Sequence, residues 1–322
     1  VLTLEALSVR FATPDGEVAA VSDVSLSVAK GECLGLVGES GSGKSQTFMA
    51  ALGLLANNGR ASGHATFDGV DLLAADEAAL NAIRGDRVAM IFQDPMTSLT
   101  PHMKIGRQLA EVLVQHRGLS SAAARSKAVA MLKRVHVPEA ERRMEMYPHE
   151  LSGGLRQRVM IAMALLCEPE VIVADEPTTA LDVTVQAQIL DILREIKDDR
   201  RAGIVLITHD LGVVAGLADR VAVMYAGRIV ELGPVRDVFR APLHPYTRGL
   251  LACTPRLDDP AAAELPTIPG QPPNAQRLPD GCAFAPRCAF ALDACVAARP
   301  ALRTMAAGRF KACVRDDLGP TP

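Results

Sequence analysis

The sequence predicts a mixed α/β fold organised around a phosphate-binding loop, and three observations carry that prediction. Residues 38–45 (GESGSGKS) fit G-x-x-x-x-G-K-[ST], with a short apolar run at 33–37 before them and a helix-like run at 45–55 after them. Apolar runs at 88–92, 171–174 and 203–207 each end in polar residues, as buried strands do when they deliver functional groups at their carboxyl ends. Between about 104 and 165 the periodicity turns helical.

The loop has chemistry of its own. Glycines let backbone N–H groups close around a phosphate, and the following helix start adds its positive dipole end. Lys44 is placed to reach the β- and γ-phosphates of a nucleotide, and Ser45 to ligate Mg²⁺. ATP is favoured over GTP, although the loop alone does not choose. The composition agrees with an enzyme of this kind. A chain of 322 residues, 49% hydrophobic and with balanced charge, can bury a substantial core and is no disordered polymer. A formal charge of -3 gives no broad reason to expect a nucleic-acid partner. No run approaches the length of a membrane span, and no basic-then-apolar start resembles a signal peptide, so a cytosolic chain is expected.

Ahead of the loop, residues 2–11 and 24–29 alternate in strand fashion around a turn containing Pro14-Asp15-Gly16, which predicts a small β layer. Phe11 ends the first of these strands, where an aromatic could stack on a base or simply pack. After the loop helix, 57–63 are expected to turn and 64–70 to form a strand. The run 88–92 stops at Gln93-Asp94-Pro95; a glutamine there can approach a nucleotide before proline redirects the chain. Residues 121–135, rich in Ala, Lys and Arg with Val129, Leu132 and Val135 on one side, belong to a helical subdomain inserted in the core at about 96–165. Ser152-Gly153-Gly154 open a helix and form a second anion-binding end.

Val171 to Ala174 lead into Asp175 and Glu176, suited to organising Mg²⁺ and to polarising a water. Thr184 is expected to cap a helix whose apolar face is Val185, Ile189, Ile192, Leu193 and Ile196. His209 follows the run 203–207 and is assigned a γ-phosphate contact, against the blander role of a structural or surface histidine. Residues 220–224 and 228–232 form a hairpin through Ala226-Gly227 and are expected to end the core. From about 236, Pro242, Pro245, Pro255, Pro266, Pro269, Pro272 and Pro273 argue against regular structure. Cys282, Cys288, Cys295 and Cys313 then follow as C-x5-C-x6-C-x17-C. Clustered thiols in a segment with little apolar material suggest a metal staple, set apart from the phosphate site, with Cys33, Cys167 and Cys253 outside it.

Taken together, the motifs resemble those of the ATPase subunits of ABC importers, in the peptide/nickel branch, over essentially the whole chain. Gly38 to Ser45 match Walker A, Gln93 the Q-loop, 151–155 (LSGGL) the signature, 171–176 Walker B, 180–182 (ALD) the D-loop and His209 the switch histidine. The branch rests on QDPMTSLTP at 93–101, YPHELSGG at 147–154 and ADEPTTALDVTVQAQI at 174–189, supported by HPYT at 244–247 and PGQPP at 269–273. Leu155 departs from the glutamine common in the wider family and the methionine frequent in this branch, but it stays apolar.

The resemblance implies an ABC-type P-loop fold over 1–235, with a C-terminal extension at 236–322. It implies ATP contacts from Phe11, Gly38, Ser40, Gly41, Gly43, Lys44, Ser45 and Gln46, and Mg²⁺ held by Ser45, Gln93 and Asp175. Glu176, His209, Lys44 and Gln93 carry the catalytic assignment. Ser152, Gly153 and Gly154 would complete the site of a second, homologous ATPase subunit, in a heterodimer or a homodimer, and Asp182 would link the two sites. The other implied partners are two permease subunits, which would hold the chain at the cytoplasmic face of the membrane, and an extracytoplasmic peptide-binding protein. Similar tails carry a 4Fe–4S cluster, with zinc as the runner-up, and the cysteine tail favours peptide over nickel as cargo. A soluble, non-transport ABC ATPase is the alternative class, disfavoured by the single set of motifs, and a regulatory subunit of low turnover is another.

Overall fold

The computed structural model describes residues 1–179, 181–199, 202–254 and 267–318. Ala180 of the D-loop and the prolines Pro255 and Pro266 lie outside the described residues. The chain divides into two compact units, one comprising 3–27, 34–73 and 208–322, the other 1–2, 28–33 and 74–207.

The first unit carries the predicted β layer. Its strands run in the order Gly16–Val28, Leu2–Thr13, Gly59–Phe67, Val70–Asp71. Alternation in the first strand breaks at Glu5-Ala6, which are both exposed. There Ala6 takes a positive φ of 48° and donates its N–H to Ser25 Oγ at 2.9 Å, and the one-residue irregularity keeps Leu4 and Leu7 both facing the core. The third strand begins at Gly59, earlier than the expected turn at 57–63 allows, because Gly59 sits tight against the Phe11 ring, where a Cβ would come within 2.7 Å of Cε1.

In the same unit, Cys33–Val37 is buried at every position and pairs in parallel with Arg220–Tyr225. Arg220–Tyr225 turns through Ala226-Gly227 into antiparallel Arg228–Pro234, the expected hairpin. The sheet does not end there. Arg309–Lys311 pairs with the outer strand, Glu231 opposite Lys311, and Arg303–Ala306 pairs with Arg309–Lys311 in turn. The proline-rich approach also contains a helix, Pro245–Ala252, with Pro245 in its first turn, where a missing N–H costs nothing. His244 caps this helix by accepting from the Tyr246 N–H at 3.1 Å.

The expectation that the tail stands apart from the phosphate loop is overturned, since Tyr246 and Arg287 both bond Glu39 of that loop, and a polar hub ties the segment to the sheet. Glu231 is fully buried, accepts from the Leu243 and His244 N–H groups at 2.8 and 2.9 Å, and pairs with Arg309 at 3.3 Å. A buried carboxylate requires such partners, so it draws residues 243–244 and 309 together. Tyr225, Tyr246 and Phe284 pack against one another with ring centroids 4.5–5.4 Å apart.

The second unit supplies a parallel sheet. Val88–Ile91, Val171–Asp175 and Gly203–Ile207 lie side by side in unbroken register, Val88 opposite Val171 and Val171 opposite Gly203. Every residue of the last two strands is buried, which is why they read as continuous apolar runs. Burying each Val, Leu or Ile side chain is worth roughly 1.5–3 kcal/mol. The inserted helices include Ile105–Arg117, Ser121–Arg134 and Gly153–Leu165. The helix Val183–Asp198 starts one residue before Thr184; Asp182 is its N-cap, accepting from the Val185 N–H at 3.0 Å, and Ile189, Ile192, Leu193 and Ile196 face inward as predicted.

Burial, with Lys311 adding to it, pushes the His244 imidazole down from its ordinary value to about 3. An unfolded chain takes up that proton near pH 6.5 and the folded one does not, so this contribution to stability is full above pH 6.5 and falls away towards pH 3. The ring nitrogens of His244 should accordingly keep neutral-imidazole NMR shifts from about pH 8 to about pH 5. A titration midpoint near 6.5 would contradict the buried, uncharged cap.

Candidate functional site

In the first unit glycines at positive φ shape the phosphate loop. Gly38, Gly41 and Gly43 hold φ of 155°, 77° and 98°. A Cβ on Gly38 would lie 2.1 Å from the Met224 carbonyl oxygen, and one on Gly43 2.3 Å from that of Ala20. Lys44 is buried, and its ammonium donates to the carbonyl oxygens of Gly38 and Glu39 at 2.8 and 3.0 Å. Ser40 and Gly41 are exposed at the tip, while Ser45 and Gln46 are half-buried in the first turn of Lys44–Ala51. Ser42 Oγ is buried with no hydrogen-bond partner among the described residues, a donor available to an anion in the loop. Phe11 is half-buried against Gly59. His209 is exposed just before the helix Leu211–Leu217, which Asp210 caps.

Behind the loop stand Tyr246, which the sequence marks only as part of HPYT, and Arg287, which carries no recognisable signal. The Glu39 N–H donates to Tyr246 Oη at 2.8 Å, and burial pushes the Tyr246 phenol up, so it stays an O–H at neutral pH. Arg287 grips the Glu39 carboxylate with both terminal nitrogens, at 2.8 and 3.0 Å. Reading the tail as a separate staple hides both residues.

In the second unit Glu176 follows the strand Val171–Asp175 in a left-handed conformation, φ 45°, which is uncommon for an L-residue. Its Oε2 accepts from Gln93 Nε2 at 3.2 Å and from Thr179 Oγ1 at 2.8 Å, so the structure brings Gln93 and Glu176 together as neighbours. Asp175 is buried just before it. Sequence reasoning misses Thr179, because a threonine in a loop carries no spacing signal. It also misses Gln157, whose amide donates to the Pro177 carbonyl at 2.8 Å.

Ser152 is the N-cap of Gly153–Leu165, accepting from the Leu155 N–H at 3.4 Å. Gly154 is required for close approach, since a Cβ would lie 2.9 Å from Val185 Cγ1. Ser152, Gly153 and Gly154 line one concavity of about 550 Å³ together with Asp182, so two motifs far apart in sequence share a surface. The oxygens of Ser45, Gln93 and Asp175 are hard donors of the kind Mg²⁺ takes.

The four clustered cysteines are free thiols, Cys295 and Cys313 buried and Cys282 and Cys288 half-buried. The Cys282 N–H donates to the Cys295 carbonyl at 2.7 Å. Burial pushes the Cys282 and Cys288 thiols up; Cys295 and Cys313 add to both shifts, and Cys282 adds to that of Cys288. Among the described residues, however, no three His, Cys, Asp or Glu side chains form a group that could hold a metal ion. No helix among them is long and apolar enough to cross a membrane.

A mixed α/β architecture with an antiparallel layer, a phosphate loop and a serine-capped Gly-Gly helix defines the class. The family model for the ABC transporter matches residues 21–179, and that for the oligopeptide/dipeptide transporter C-terminal region matches 230–295. The chain is 58% identical to the oligopeptide transport ATP-binding protein OppD of Salmonella typhimurium, over 98% of this chain and 93% of that protein. It is 57% identical to OppD of Escherichia coli over the same shares. Among solved structures, the ATP-binding cassette MJ0796, dimeric in a post-hydrolysis state with ADP and Pi, aligns with a TM-score of 0.66 at 28% identity, covering 73% of this chain and 99% of that one. The chain belongs to the family of ATP-binding subunits of oligopeptide/dipeptide ABC transporters.

Proposed function

We propose that each motif residue plays the part its chemistry suits in an ABC-type ATPase that hydrolyses ATP to drive peptide import. The observation that carries this reading is the phosphate loop, closed by its glycines around a buried lysine. Lys44 and the loop N–H groups bind phosphate, with Phe11, Gly38, Ser40, Gly41, Gly43, Ser45 and Gln46 as the further nucleotide contacts. Glu176 orients and polarises the attacking water, and His209 and Gln93 sense the γ-phosphate. Mg²⁺, assigned to Ser45, Gln93 and Asp175, supplies charge neutralisation on the phosphates when bound. The domain division at 235/236, with a helical subdomain at about 96–165, belongs to the same reading.

Assembly follows from the signature. Ser152, Gly153 and Gly154 offer unpaired helix-start N–H groups to the nucleotide of a second ATPase subunit, in a heterodimer or a homodimer, and Asp182 links the sites. Two permease subunits hold the chain at the cytoplasmic face of the membrane and receive peptide from an extracytoplasmic binding protein. Support for this comes from the family and from the names of the relatives.

Cys282, Cys288, Cys295 and Cys313 are the ligand set we assign to a 4Fe–4S cluster, with zinc the second choice. Their electrostatic proximity supports the assignment, although ligation requires the thiols to close up from where they stand. Anaerobically purified protein should contain about four irons and four sulfides per chain, and Cys295→Ser should lose them. Stoichiometric zinc without sulfide would select the runner-up.

Glu176→Gln should leave ATP affinity within about threefold of the natural chain while lowering turnover in the assembled transporter by roughly two orders of magnitude or more, on the scale expected for loss of a general base. Turnover close to that of the natural transporter would remove Glu176 from the catalytic role.

A further inference from the structure

The ion pair between the C-terminal segment and the phosphate loop has a built geometry. The Arg287 side chain is only 5% exposed, and its guanidinium is fully engaged. Nη1 donates to Glu39 Oε2 at 2.8 Å and to Tyr225 Oη at 3.2 Å; Nη2 donates to Glu39 Oε1 at 3.0 Å and to the Ile268 carbonyl at 3.4 Å; Nε donates to the Pro269 carbonyl at 2.9 Å. Its central carbon lies 5.8 Å from the Tyr225 ring centroid and 5.9 Å from that of Phe284. Gly270, at φ 76°, leaves room for the stem, since a Cβ there would come within 3.2 Å of Arg287 Cγ. Two carbonyls, a phenol and two aromatic rings thus orient a planar fork whose open edge matches one carboxylate.

That carboxylate belongs to the second residue of the phosphate loop. Glu39 also supplies one of the carbonyls that hold Lys44, and its N–H is bound by Tyr246. A carboxylate on this loop, left unpaired, would oppose the approach of a polyanion and compete for the Lys44 charge. We propose that Arg287 is a positioning residue for the phosphate loop: it neutralises Glu39 and holds it back, so that the C-terminal segment sets the affinity of the loop for the triphosphate. The inference rests on the reading of residues 38–45 as the ATP phosphate site. It also gives the adjoining cysteine segment a mechanical route to that site, because Arg287 immediately precedes Cys288.

The test is a double-mutant cycle on the full chain, titrated with a non-hydrolysable ATP analogue and Mg²⁺. Arg287→Gln should weaken binding about tenfold, and more at low ionic strength, as expected for an uncompensated charge near a polyanion. In a Glu39→Gln background the same substitution should change the Kd less than about twofold, since the charge it controls is gone. In the assembled ATPase the loss should appear in KM with kcat nearly retained, the signature of uniform binding. Arg287→Lys, which keeps charge and stem but not the fork, should recover part of the affinity, and it carries the cycle if Arg287→Gln does not fold. Equal weakening in both backgrounds would make Arg287 a packing residue and overturn the proposal, as would no weakening in either. Lys44→Ala, run alongside, should abolish binding; unaltered binding there would instead remove the phosphate-site reading.

Discussion

A buried ammonium organises this protein's phosphate loop. Lys44 donates its charge to the Gly38 and Glu39 carbonyl oxygens, in a loop where Gly38, Gly41 and Gly43 all take positive φ. Desolvating a lysine is costly unless its charge is met, so the loop and its lysine fold as one piece. The strand Cys33–Val37, buried throughout, fixes where that piece starts, and the hairpin beyond Arg220–Tyr225 backs it: the Gly227 N–H donates to the Ser42 carbonyl at 3.0 Å.

The Glu176 carboxylate is constrained in a similar way. Glu176 is held in a left-handed turn by the strand before it and by Gln93 and Thr179 at its oxygens. Neither of these two partners is charged, and each orients the carboxylate through a neutral hydrogen-bond donor. Gly154, Val185 and the Asp182 cap likewise fix the signature helix against the helix that follows the D-loop. In both places a small residue, a cap or a neutral hydrogen bond sets the geometry.

Much of this is legible before any coordinates. Continuous apolar runs ending in polar groups mark Val88–Ile91, Val171–Asp175 and Gly203–Ile207, since a strand buried on both faces has no alternation to misread. The phosphate loop is legible because its glycine spacing is dictated by steric necessity. Caps are less so: Thr184 and Asp182 are both good N-caps, and only backbone geometry chooses Asp182. The tail misleads for a clear reason. Its prolines argue against regular structure, yet Pro245 sits where a helix tolerates it, and Arg309–Lys311 is too short to announce itself as a strand. Long-range pairs such as Arg287 with Glu39 leave no local pattern at all.

Tyr246 and Arg287 brace the phosphate loop through Glu39, and these contacts predict a loop that is ordered whether or not nucleotide is bound. Amide hydrogen exchange on the full chain without nucleotide tests that claim most directly. The Glu39 and Ser42 amides, bonded to Tyr246 Oη and to the Glu39 carbonyl, should exchange far more slowly than unstructured amides, and Tyr246→Phe should speed exchange at Glu39 while leaving Cys33–Val37 protected. Exchange at Glu39 and Ser42 as fast as in an unfolded chain until ATP is added would contradict it, and would mean that the nucleotide orders the loop.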